Sequence, residues 1–153
     1  MVANIAVPST IFPELAARGI ATTAYGVLSR GLLTGSRPTG ASDYRAHLPR
    51  FTGENGEKNR ELADALARLA ATRGVKPAQL AIAWVRAKAA AQKVTIIPTM
   101  GARTRAQLAD ALAGLDVVLR ADEVATLEAA VPADEVAGMR YAAPLMAMLD
   151  SER

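Results

Sequence analysis

The chain has 153 residues, enough for one domain with a core of its own and too few for two. Hydrophobic residues make up 51% of it, which excludes a disordered chain, and aromatics at 4% leave few groups to stack on nucleic-acid bases. Its 18 Lys and Arg against 15 Asp and Glu are interspersed, a balance that suits an enzyme surface or one anion pocket and argues against a nucleic-acid partner.

There is no cysteine, so disulfides, thiolate metal sites and thiol catalysis are out. A single histidine, His47, makes a histidine-based metal site a poor expectation. The opening "MVANIAVPST" has no basic n-region, and Pro8 breaks its apolar run. No segment is apolar for long enough to cross a bilayer. The expectation is a soluble, cytoplasmic protein with no membrane partner.

In chain order, residues 11–18 read as a short helix closed by Gly19, a natural residue just past a helix end. "GIATTAYG" follows, β-branched and bounded by Gly19 and Gly26, and reads as a buried strand. A long irregular region runs from Gly26 to about Gly56, rich in Gly, Pro, Ser and Thr; a loop of that length is often functional. From about Asn55 to Thr72, Leu62, Leu66 and Leu69 repeat at i, i+4, i+7, and Gly74 stops the helix. Pro77 sits at a first helical position, and Leu80, Trp84 and Val85 give the next apolar face, with Trp84 read as core packing. "KVTIIPT" is a second strand, apolar enough for a parallel sheet buried on both faces. A helix from Thr104 carries Leu108, Leu112 and Leu115 on one side, and a last one, from about Ala121 to Val131, carries Val124, Leu127 and Val131. The tail "MRYAAPLMAMLDSER" is apolar enough to dock. Strands separated by helices imply parallel pairing in an α/β fold, although two strands alone do not make an α/β domain.

Two stretches carry candidate chemistry. In "IIPTMGARTRAQLADAL" a strand ends at Pro98, small residues turn the chain, and Thr104 with Gln107 has the spacing of a capping box. A helix start with free N–H groups favours phosphate, and Arg103 and Arg105 could add charge-assisted contacts. From spacing alone, an ordinary capped helix with two solvated arginines is the better reading. In "TAYGVLSRGLLTG" a strand delivers Tyr25 to its C-terminal end, where α/β folds bind ligands and where an aromatic can stack on a flat ring. A tyrosine merely closing the end of a sheet or barrel fits this second stretch equally well.

Together the two stretches resemble the aldo-keto reductase family. "TAYGVLSRGLLTG" is similar to the segment after the family's seventh barrel strand. "PRFTGENGEKNRELADALARLAATRGVKPAQLAIAWV" is similar to its following helices, and "IIPTMGARTRAQLADALAGLDVVL" to its eighth strand and cofactor-phosphate helix. "AVPADEVAGMRY" resembles the closing segment, so the likeness runs from about Phe12 to the end. It implies an α/β fold that is the C-terminal portion of a (β/α)8 barrel, with two parallel strands and several helices, and NADP(H) as cofactor. By this resemblance Tyr25 stacks on the nicotinamide ring. Gly26, Val27, Leu28, Ser29 and Arg30 line the pyrophosphate side, and Gly101, Arg103, Gln107 and Asp110 surround the adenosine end. Arg103 is the main partner of the 2′-phosphate, with Arg105 a lesser one. The family's Ser-Pro pair is Gly26-Val27 here, and its Glu-Asn pair in the phosphate helix is Asp110-Ala111, which costs one hydroxyl and one amide contact.

The family reduces aldehydes and ketones with NADPH, using an Asp, a Tyr, a Lys and a His from the first half of the barrel. The resemblance begins after the sixth strand, so it implies no catalytic residue in this chain; His47, Tyr25, Tyr44 and Tyr141 do not stand at those positions. The expectation is a reductase portion that acts on a small carbonyl substrate only when completed by the other half. The alternatives are a non-catalytic NADP(H)-binding or regulatory subunit, and a structural remnant without ligand. Unpaired strand edges would favour self-association.

Overall fold

The computed structural model describes residues 11–149, so the opening "MVANIAVPST" and the last four residues lie outside the described part. Its elements in order are α1 (Ile11–Ala17), β1 (Thr22–Ala24), α2 (Gly53–Thr72), α3 (Pro77–Ala91), β2 (Ile96–Pro98), α4 (Arg105–Ala113), α5 (Ala121–Ala130) and the single turn α6 (Ala143–Met146). The region between β1 and α2 is not structureless: it holds 3-10 turns at Ser29–Thr34, Tyr44–His47 and Pro49–Phe51.

Three helices end in one way. After α1, Gly19 donates to the Ala16 carbonyl and Ile20 to that of Leu15; after α2, Gly74 donates to Ala71 and Val75 to Ala70. After α3, Lys93 donates to Ala90 and Val94 to Ala89. This paired bonding needs a left-handed residue just past the helix, which Gly19 (φ 65°) and Gly74 (φ 71°) supply freely. Lys93 takes the same place at φ 54°, where its Cβ crowds the next carbonyl. The payoff in structure is direct: Val94, fully turned by this cap, enters the core and leads into β2.

The two strands pair in parallel, Thr22 with Ile96, Thr23 with Ile97 and Ala24 with Pro98. Successive residues of a strand face opposite sides. Ala24 and Ile96 are buried in the core shared with α2 and α3, whereas the register partners Thr23 and Ile97 are exposed. The expectation of a sheet buried on both faces is therefore corrected: helices cover one face only among the described residues. Both strands are also shorter than "GIATTAYG" and "KVTIIPT" suggest, because each has a single pairing partner here and the flanking residues serve helix caps and turns instead.

α3 is the centre of the core. Leu80 to Val85 are all buried, since α2, α4, β2 and the 29–34 turn surround the helix. Trp84 is core, as its apolar surroundings imply, and its indole N–H donates to Glu128 on α5 at 2.9 Å. Lys88 lies 3.0 Å from the same carboxylate. Burial alone would raise the pKa of Glu128, but these two donors outweigh it and hold the group below its ordinary value. α2 contributes Leu66, fully buried, with Leu62 and Leu69 half-buried beside it, and α5 contributes Leu127 and Val131.

α4 differs from its sequence pattern. Leu108, Leu112 and Leu115, which the spacing sets on one side of the helix, are 50%, 48% and 36% exposed. The helix packs on α3 through small residues, Ala111 and Gly114. A Cβ at Gly114 would stand 3.0 Å from the Gln79 backbone and 3.1 Å from Ile82, so the two helices approach too closely for a leucine stripe between them. The leucines are left on the far side.

Candidate functional site

Parallel pairing puts the C-terminal ends of β1 and β2 at one edge of the sheet. The Thr99 amide donates to the Ala24 carbonyl at 2.8 Å, so the segments that leave the strands start side by side. One segment is Tyr25 to Arg30, the other runs from Met100 through Gly101 and Arg103 into α4. The structure thus brings together the two stretches that the sequence singles out.

The Tyr25 ring is 53% exposed at this edge. Gly26 turns the chain at φ 71°, and its carbonyl accepts from the Ser29 amide at 2.8 Å. Val27 then goes the other way. It is fully buried, so only its backbone can serve a ligand, while Leu28 packs against the core. Ser29 and Arg30 sit at φ 48° and 55°, followed by Gly31 at 91°. Left-handed backbone costs a non-glycine residue about 1–2 kcal/mol, and it persists only where neighbours over-determine it. The neighbours here are specific. Arg45 donates to the Arg30 carbonyl at 3.1 Å, to Ser36 Oγ at 2.9 Å and to the Arg37 carbonyl at 2.9 Å. Its other face is fixed by Asp43, 2.7 Å away. The hydrogen bonds from Arg45 hold the Asp43 carboxyl well below the usual carboxylate range.

At the second segment, Thr104 caps α4 by accepting from the Gln107 amide at 3.2 Å. The reciprocal arm of the capping box lands one residue early: the Gln107 side chain accepts from the Arg103 amide at 2.7 Å, not from that of Thr104. The Arg103 and Arg105 side chains are exposed and make no ion pair among the described residues. Gly101 is exposed and a Cβ there would meet nothing, so the turn lies open. Asp110 faces elsewhere. Both its oxygens are 2.6 Å from Lys76 Nζ, and its carbonyl accepts from Gln79, so it ties α4 to the start of α3.

Three residues of this edge escaped the sequence reading. The Arg140 guanidinium donates to the Tyr25 hydroxyl at 3.0 Å. The Arg30 guanidinium lies 4.9 Å over the Tyr141 ring and reaches the Arg140 carbonyl at 3.4 Å. Asn59, fully buried on α2, donates to the Arg50 and Ala137 carbonyls at 2.9 and 2.8 Å and accepts from the Ala137 amide at 3.0 Å. The tail docks, as its composition suggested, but through these polar groups: Met139, Leu145 and Met148 stay exposed. The only advance signal was an Arg-Tyr pair inside an apolar tail. His47 stays in the loop, its ring bonded to the Ala41 carbonyl at 2.9 Å.

Two open clefts, of about 450 and 300 Å3, flank α2 on other sides, and neither includes any of the ten candidate residues. The candidate site is an exposed edge. It offers a half-exposed aromatic, glycine-opened backbone, a helix start and the exposed guanidinium groups of Arg103 and Arg105, a donor set that suits a dinucleotide with a phosphorylated ribose. No group of three or more His, Cys, Asp or Glu able to hold a metal occurs among the described residues.

Comparison with known proteins gives the family. A family match described as "Aldo/keto reductase family" covers residues 1–132. This chain belongs to the aldo/keto reductase family. The match starts before Phe12, where the sequence likeness was placed, and stops short of the tail. A curated relative, the NADP(+) aldo-keto reductase yakc of Schizosaccharomyces pombe, is 33% identical over 106 residues, 65% of this chain and 29% of its own length. The solved glycerol dehydrogenase AKR11B4 of Gluconobacter oxydans superposes with a TM-score of 0.65 at 27% identity, over 80% of this chain and 38% of that one. The chain therefore spans about a third of the length of these relatives. Its two parallel strands and their helices are part of an aldo-keto reductase barrel.

Proposed function

We propose that this chain is the NADP(H)-holding portion of an aldo-keto reductase, whose reaction is the reduction of an aldehyde or ketone to an alcohol. The observation that carries this reading is the shared edge: Tyr25 to Arg30 and Gly101 to Arg103 leave adjacent parallel strands side by side. When bound, NADPH supplies the hydride. Tyr25 offers its face to the nicotinamide, the backbone of Gly26 to Arg30 borders the pyrophosphate, and Arg103 with the α4 start takes the 2′-phosphate, with Gln107 nearby. Asp110 contributes less than the family pattern implies, because Lys76 holds its carboxylate. The proton-donating Tyr and its Asp, Lys and His partners come from sequence outside these 153 residues, which would also cover the open face of the sheet.

The test is a titration of the chain with NADPH, followed by the nicotinamide fluorescence, and then an aldehyde-reduction assay. Saturable binding without turnover is expected. Absence of binding at millimolar NADPH would discard the cofactor site, and turnover by the isolated chain would discard the external catalytic half.

A further inference from the structure

The tail that follows α5 lies outside the family match, yet it touches both ends of the Tyr25–Arg30 turn. Its path is fixed at three points. Asn59 grips Ala137 by both its N–H and its carbonyl, and the same amide binds Arg50, so tail and α2 entrance are clamped by one buried side chain. Gly138 comes next, at φ 81°. A Cβ there would sit 2.9 Å from the Pro49 carbonyl oxygen and 3.0 Å from Asn55, so the chain passes where no side chain fits. The Arg50 side chain donates to the Gly138 carbonyl at 3.2 Å. Two residues on, Arg140 and Tyr141 reach the turn, one to the Tyr25 hydroxyl and the other under the Arg30 guanidinium.

We propose that residues 137–141 form a positioning strap for the cofactor, in which Arg140, anchored through Asn59, fixes the direction in which the Tyr25 ring points. The proposal rests on the reading of Tyr25 as the nicotinamide's neighbour. A ring that is half exposed is free to change χ1 rotamer, and stacking depends on where the ring is held. A charged donor on the hydroxyl, the atom farthest from the backbone, removes that freedom before the ligand arrives. Fewer states are then lost on binding, and affinity rises without a new contact to the ligand. The Arg30–Tyr141 stack braces the strained half of the same turn from the other side.

The test separates the two ends of the ligand. NADPH reaches Tyr25, whereas 2′,5′-ADP carries only the adenosine end. Losing a hydrogen bond to a charged group corresponds to roughly tenfold in affinity. Arg140→Met is therefore expected to weaken NADPH about tenfold and leave 2′,5′-ADP unchanged, with Arg140→Lys recovering most of the loss. Tyr25→Phe, which removes only the hydroxyl, is expected to match Arg140→Met, and the double variant to be no worse than either. Should Arg140→Met not fold, Tyr25→Phe alone carries the same expectation. Equal weakening of both ligands, additive effects in the double variant, or unchanged NADPH binding would overturn the strap. No NADPH binding by the unmodified chain would overturn the reading of the site as well, whereas normal binding with an indifferent Arg140→Met overturns the strap alone.

Discussion

The two halves of the candidate site are built in opposite ways. The Tyr25 turn is held from three directions, by Arg45 on the Arg30 carbonyl, by Arg140 on the Tyr25 hydroxyl, and by Tyr141 against Arg30. The start of α4 is held by little beyond its own cap, Thr104 and Gln107, and its arginines project into solvent. Strained backbone needs many partners to persist, while a helix start needs only an acceptor at its N–H groups. The braced turn fixes a ring in place. The open start presents charge, and a guanidinium on a flexible stem can find a phosphate without being fixed beforehand.

The comparison implies that removing the buried anchor of the braced side damages the fold, whereas substitutions on the open side damage only binding. The largest effect is expected from Asn59→Leu, which removes three hydrogen bonds from a buried position and should cost about 3 kcal/mol in urea denaturation. A cost below about 1 kcal/mol would mean that the tail is not held there. Next, Arg103→Ala is expected to weaken 2′,5′-ADP about tenfold while the melting temperature stays put. A drop in melting temperature would show that the open side is structural after all.

Acid provides a third contrast. The Asp43 pKa is depressed by Arg45, so the stability that this pair contributes is present above the ordinary carboxylate value and lost as pH falls below about 4. The stability difference between the unmodified chain and Asp43→Asn should shrink progressively below about pH 4 and stay flat between about pH 6 and 8, read from denaturation curves at each pH. The smallest effect belongs to α4. Leu112→Gln is expected to change stability by no more than about 0.5 kcal/mol, because the side chain is exposed; a loss of about 3 kcal/mol would return the leucine stripe to the core.

Local signals were legible in the sequence where one residue type settles the matter. Gly19 and Gly74 marked helix ends, Pro77 and Thr104 marked starts, and the Leu62–Leu69 spacing marked the buried face of α2. Tyr25 could be placed at a strand end because a β-branched run stops just before it, and Arg103 at a helix start because the cap Thr104 follows it. What could not be read depends on contacts between distant segments. The leucine pattern of α4 points to a buried face, but only the close approach of Gly114 to α3 reveals that alanine and glycine make the contact. Val27 sits in a loop by its neighbours and in the core by its packing. Lys93 carries no sign of a left-handed cap, and Asn59 looks like any polar residue of a helix until the tail closes over it. Asp110 kept the spacing of a ligand contact while its partner, Lys76, lay on another helix.

The central claim is that both strand-end segments form one cofactor site. Amide hydrogen exchange of the chain, with and without saturating NADPH, tests it most directly, because each segment reports separately. The account predicts that exchange slows together in residues 26–31 and 101–107, with little change along α2. Slowing in one segment alone, or in neither, would contradict it.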